Sequence, residues 1–65
     1  LAIAHARLGQ EGLAALATAE RMMLAGRTRD AAIHAARAQN QLPAGSPGWR
    51  QADDIVRASR RAETR

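Results

Sequence analysis

The sequence contains no cysteine, no lysine, no phenylalanine and no tyrosine. Without cysteine it can form neither a disulfide framework nor a cysteine-based zinc site. With a single aromatic residue, Trp49, and few β-branched residues, it lacks the composition that strands favour. No apolar run approaches the ~20 residues that span a bilayer. Leu1 to Leu8 include His5 and Arg7, which does not read as a secretory signal. At 65 residues the chain is one small domain. So short a chain buries a modest share of its surface and is expected to be only marginally stable alone.

What is present is alanine, seventeen residues of it, the best helix former. The fold class is therefore all-α. All ten basic residues are Arg, and against six acids they leave a formal charge of +4. A basic balance suits nucleic acid or an anionic surface, and equally an Arg-rich solvated face.

Four helical segments are expected. The first covers 1–11 as the end of a preceding helix, with Leu1, Ala4 and Leu8 on one face and Gly9 as its C-cap. Because the chain opens on Leu1 in an already helical pattern, it is expected to be a piece of something longer. The second helix runs from about Gly12 to Ala25 and is stopped by Gly26. Leu13, Leu16, Ala17, Glu20, Met23 and Leu24 share one side of it; Ala15, Thr18, Ala19 and Met22 share another. Two small or apolar sides suit a helix with neighbours on both.

The third helix starts near Thr28, read as its N-cap, with Asp30 in the first turn. It ends near Leu42, before Pro43. Ala31, Ala35, Ala38 and Leu42 form a stripe of mostly small residues that lets a neighbour approach closely. Ile33 and Ala36 give a second, shorter face. The loop Pro43–Gly48 holds two Pro and two Gly in six residues. Ser46 followed by Pro47 reads as N-cap and N1 of the last helix, which spans 46–61 and leaves 62–65 to fray. Trp49, Ala52, Ile55 and Val56 face inward. Arg50 with Asp54, and Asp53 with Arg57, are spaced as outward i, i+4 pairs.

Gly12 to Gly45 is 34 residues, the length of one tetratricopeptide repeat. Ala31, Ala35, Ala38 and Pro43 keep the spacing of that repeat's second-helix pattern, A-x3-F-x2-A-x4-P, with Ala35 where the family has an aromatic. Gly26 lies five residues before Ala31, where the family turns between helices. The first-helix pattern falls on Ala15, Thr18, Ala19 and Met22, of which Ala19 and Met22 fit in kind. The segment 12–45 thus resembles a tetratricopeptide-type helix-turn-helix of the α-α superhelix class.

The segment from Leu42 to Ile55 is similar to the closing motif of the repeat domain in bacterial Ste24-like zinc metallopeptidases. It carries Leu42, Pro43, Gly45, Ser46, Pro47, Trp49, Ala52, Asp54 and Ile55 at matching positions. That resemblance implies a cell-envelope, periplasmic parent whose HExxH peptidase domain lies elsewhere. It makes 46–61 a capping helix anchored by Ser46, Pro47, Trp49, Asp54 and Ile55.

The peptidase motif needs two His on one helical face around a Glu. His5 and His34 are far apart and neither precedes Glu, so zinc is expected in the parent and no cofactor in this chain. His34, at i+4 from Asp30, needs only a surface ion pair. Asp53 and Asp54 are adjacent and diverge on a helix, and no strained turn presents a Ser nucleophile. The expected role is a non-catalytic protein-interaction or substrate-positioning module. Leu16, Glu20 and Met23 are the candidate partner surface. The partner is a protein or peptide, and the isolated chain is expected to self-associate through its first and second helices, since so few repeats leave a face uncovered. The alternative is a small basic helical DNA-binding domain using Arg57, Arg60, Arg61 and Arg65. No aromatic interleaves these arginines, and cations at a helix C-terminus need no ligand to be favourable.

Overall fold

A computed structural model describes residues 2–63, with side chains from residue 7 onward. Leu1, Thr64, Arg65 and the side chains of Ala4 and His5 lie outside the described residues. Three helices follow one another: α1 (Ala2–Leu24), α2 (Thr28–Gln41) and α3 (Pro47–Glu63). No strand occurs among the described residues.

The expected break at Gly9 does not occur: the first two expected helices are one helix of 23 residues. Only Gly26 and Gly45 take positive φ, so Gly9 and Gly12 are ordinary helical residues. An interior glycine costs a helix about 0.5–1 kcal/mol relative to Ala. That is too little to stop a helix otherwise built of Ala, Leu and Glu.

α1 does stop at Gly26, whose φ is +79°. The Gly26 amide donates to the Met23 carbonyl at 3.0 Å, and the Arg27 amide donates to Met22 at 2.8 Å. This crossed pair of bonds is a Schellman cap, which needs the left-handed conformation that Gly adopts without a Cβ clash. It leaves only Arg27 to begin α2. Thr28 is therefore not the N-cap as expected but the first helical residue; Arg27 holds the cap position without a side-chain cap bond. Its guanidinium instead pairs with Asp30 in the first turn. Asp30 is thereby paired with Arg27 and not with His34.

α2 ends one residue early because Leu42 precedes Pro43. Its φ and ψ of −107° and 150° are the extended geometry that a following proline imposes. Ser46 donates back to the Pro43 carbonyl at 3.1 Å across a turn with Gly45 at positive φ. The Ser46 hydroxyl then accepts the Trp49 amide at 3.3 Å, capping α3 with Pro47 as its first residue. α3 runs past the expected end at Arg61 to Glu63, whose carboxylate meets Arg29 of α2 at 3.3 Å.

α2 lies between the other two helices and runs antiparallel to both. Gln41 donates to Glu11 of α1 at 3.3 Å. Gln39 donates to Asp53 of α3 at 3.3 Å, and the Ser59 hydroxyl donates to the Thr28 carbonyl at 2.9 Å. The core is small: Leu16, Ala19, Ala35, Ala38 and Ala52, flanked by Ala15, Leu42, Ile55 and Val56. The alanines are wholly buried, so the helices approach until backbones nearly meet.

Glycine extends the same principle at two crossings. A Cβ on Gly12 would lie 2.8 Å from Leu42 Cγ. One on Gly48 would lie 3.1 Å from Leu42 Cδ1 and 3.5 Å from Leu13 Cδ2. Leu42, in its extended linker, is thus the wedge between the start of α3 and the first half of α1.

Candidate functional site

α1 and α3 flank α2 and run parallel to each other. At the Gly48 end they close up: a Cβ there would stand in ordinary van der Waals contact with Leu13 and Leu16, at 3.5 and 3.7 Å, and would crowd only Leu42. Further along, between the last turns of α1 and the middle of α3, a groove of about 360 Å³ opens. Glu20, Met23 and Leu24 line one side; Asp54, Ile55 and Ala58 line the other.

The helical period explains the lining. Glu20, Met23 and Leu24 are at i, i+3 and i+4 of α1, while on α3 Ala58 lies four residues after Asp54 and three after Ile55. Met23, Ile55 and Ala58 are half-buried and form the floor, while Glu20 and Asp54 stand exposed at the rim. Leu24 is 90% exposed, a large aliphatic side chain in water beside an apolar floor. Neither Glu20 nor Asp54 forms an ion pair among the described residues; the expected Arg50–Asp54 pair is not made, whereas Asp53 and Arg57 do meet, at 3.0 Å.

The structure divides the three residues expected to share a partner surface. Glu20 and Met23 line the groove. Leu16 does not: it is only 4% exposed and belongs to the core, because its position on α1 points between α2 and α3. Of the expected capping-helix anchors, Ser46 and Pro47 start α3 and Trp49 is half-buried beside them. Asp54 and Ile55 lie on the groove. Gly26 forms the turn, Ala31, Ala35 and Ala38 are buried at 0% exposure, and Pro43 follows the extended Leu42. Arg57, Arg60 and Arg61 are exposed near the end of α3, with Arg57 held by Asp53.

One feature escaped the sequence reading, and a second, the α2 face of Ile33 and Ala36, was read without Arg37. Ser59 is buried at 2% exposure, where its hydroxyl finds a backbone acceptor; its spacing from Ala52 and Val56 carried that signal. The outer face of α2 leaves Ile33 59% exposed, one turn from the exposed Arg37. Among the described residues no three His, Cys, Asp or Glu side chains gather to hold a metal, and no helix is long and apolar enough to cross a membrane. Compared with protein-family models, curated proteins and solved structures, the chain matches none.

Proposed function

We propose that this chain is a non-catalytic helical interaction module, tetratricopeptide-like in plan, that docks a helix or peptide of a partner protein between α1 and α3. The observation that carries the reading is the groove itself. Its aliphatic floor is open to water, and its rim holds two carboxylates that have no ion-pair partner among the described residues. An apolar side chain entering it would release water from Met23, Leu24, Ile55 and Ala58. A Leu-sized anchor contributes about 1.5–3 kcal/mol when fully buried. Helix-in-groove docking of this kind takes its register from anchors spaced three and four residues apart. The likeness of 12–45 to a tetratricopeptide repeat supports the reading. The motif shared with the metallopeptidase repeat domains suggests the setting, an accessory domain that positions a protein substrate or partner.

The test is fluorescence anisotropy with a labelled amphipathic helical peptide of leucine and lysine. Saturable binding is expected, weakened about tenfold by Leu24→Gln, which removes roughly 1.4 kcal/mol of apolar contact. Leu24 is too exposed for that change to disturb the core. Equal affinity for the two proteins would remove the groove as the docking site.

A further inference from the structure

The six acidic residues divide unevenly. Glu11 accepts from Gln41, Asp30 pairs with Arg27, Asp53 with Arg57 and Glu63 with Arg29. The remaining two, Glu20 and Asp54, have no such partner among the described residues, and both stand on the groove. In a chain of net charge +4, the groove rim is thus the one place where uncompensated negative charge meets open apolar surface among the described residues. Its occupant should be cationic and aliphatic together.

The chain itself carries such a surface. On the outer side of α2, Ile33, Ala36, Arg37 and Asn40 share one face by helical spacing. Ile33 is 59% exposed. Arg37 is exposed and, among the described residues, has no acidic partner. Ala36 adds no bulk that would hold a neighbour off. Of the remaining aliphatic exposure on α1, Leu8 and Leu13 have no arginine one turn away, and Leu24, which has Arg21 at i−3, already lines the groove.

We infer that the groove receives the α2 outer face of a second copy of this chain, with Ile33 seated among Met23, Leu24, Ile55 and Ala58 and Arg37 reaching Glu20 and Asp54. The inference rests on the groove being a docking site. It adds the identity of the partner and a consequence for assembly. Donor and acceptor are different surfaces of one molecule, so the contact is heterologous, and in an arrangement that does not close on itself each added copy exposes a fresh groove. Association should therefore pass beyond a dimer as concentration rises. Elsewhere the positive charge of the two copies opposes contact, which leaves this face as the favoured one.

Sedimentation velocity over a concentration series provides the test, with far-UV circular dichroism to verify that each variant stays helical. The wild-type chain is expected to exceed the mass of two copies at high concentration. The double variant Glu20→Arg, Asp54→Arg places cations against Arg37, and Arg37→Glu places an anion against the native rim. Each alone should associate at least about tenfold more weakly, because like charges face each other. Mixed in equal amounts, the two variants are complementary at both contacts, and association should return. A wild-type chain that stays monomeric overturns the proposal, as does undiminished association of either variant or a mixture that remains dissociated while the wild type assembles. The leucine–lysine peptide separates the two levels of the argument. If the chain binds it through Leu24 yet stays monomeric, the groove stands and the second copy falls; if it does neither, both fall.

Discussion

Gly9 and Gly12 lie one turn apart in the same helix and should respond differently to the same substitution. Replacing a helical glycine by alanine removes the glycine penalty, about 0.8–1.0 kcal/mol. At Gly9 a Cβ would meet nothing within 4 Å, so Gly9→Ala should deliver that gain in full. For a domain of this size it corresponds to a rise in Tm of roughly 4–8 °C. At Gly12 the new carbon would lie 2.8 Å from Leu42 Cγ, 2.9 Å from Leu42 Cδ2 and 3.2 Å from Gln41 Cβ. Leu42 cannot easily retreat. Its backbone is fixed by Pro43 and by donation to Ala38 at 2.9 Å, and its other methyl packs beside Gly48. Overpacking of this kind costs about 1–3 kcal/mol. Against the propensity gain, Gly12→Ala should be neutral to destabilising by about 2 kcal/mol, which places it about 1–3 kcal/mol below Gly9→Ala. Thermal melts followed at the helical circular-dichroism minimum would measure both. If Gly12→Ala stabilises as much as Gly9→Ala, α1 and α2 do not approach at Leu42 as described, and the argument for close packing through small residues fails with it.

Two further substitutions probe the frame of the groove. Ser46→Ala removes the hydroxyl that caps α3 and should cost about 1 kcal/mol, seen as a lower Tm; an unchanged Tm would mean that Pro47 alone starts the helix. Ala35→Phe restores the aromatic of the tetratricopeptide pattern at a position with 0% exposure and should destabilise by about 3 kcal/mol, much of what so small a core supplies. Retention of full helicity and an unchanged melt would show that α2 has room for an aromatic and that the close approach is overstated.

The helical class was legible in the sequence because alanine and the scarcity of strand formers speak locally. So were Gly26, Pro43 and the pair Ser46–Pro47, where local geometry decides: a positive φ, a residue forced extended before proline, a hydroxyl within reach of a free amide. The misplaced boundary at Gly9 has the opposite origin. A glycine caps a helix only when its backbone turns left-handed, and nothing in the residue itself says whether it will. The division of Leu16, Glu20 and Met23 was illegible for a geometric reason. They share a broad side of α1, but a second neighbour, α3, covers only part of it, and the angle at which α3 arrives depends on Leu42 and Gly48 far along the chain. Asp54 was readable as a helix residue with a basic neighbour four positions back. Its place beside Glu20 was not, since that needs the parallel course of α1 and α3.

The alanine stripe also bears on why α2 can have a free face at all. A central helix with large core residues would need most of its circumference to hold two neighbours. α2 holds α1 and α3 through Ala31, Ala35 and Ala38, all buried at 0% exposure, with Gln39 and Gln41 making polar ties at the margins. Small side chains bring both neighbours close on a narrow arc, and Ile33 and Arg37 are left on the remainder. The same narrowness limits how far α1 and α3 can enclose each other. They meet at Gly48, beside Leu13 and Leu16, and stay apart where Met23 and Ile55 face the groove. One compositional choice thus produces both a groove rimmed by carboxylates and an outer face with an aliphatic residue and an arginine. Enlarging the alanines would be expected to close off one surface as it distorts the other, so groove binding and self-association should decline together in such variants. The charge reversals at Glu20, Asp54 and Arg37 leave the core untouched and can separate them.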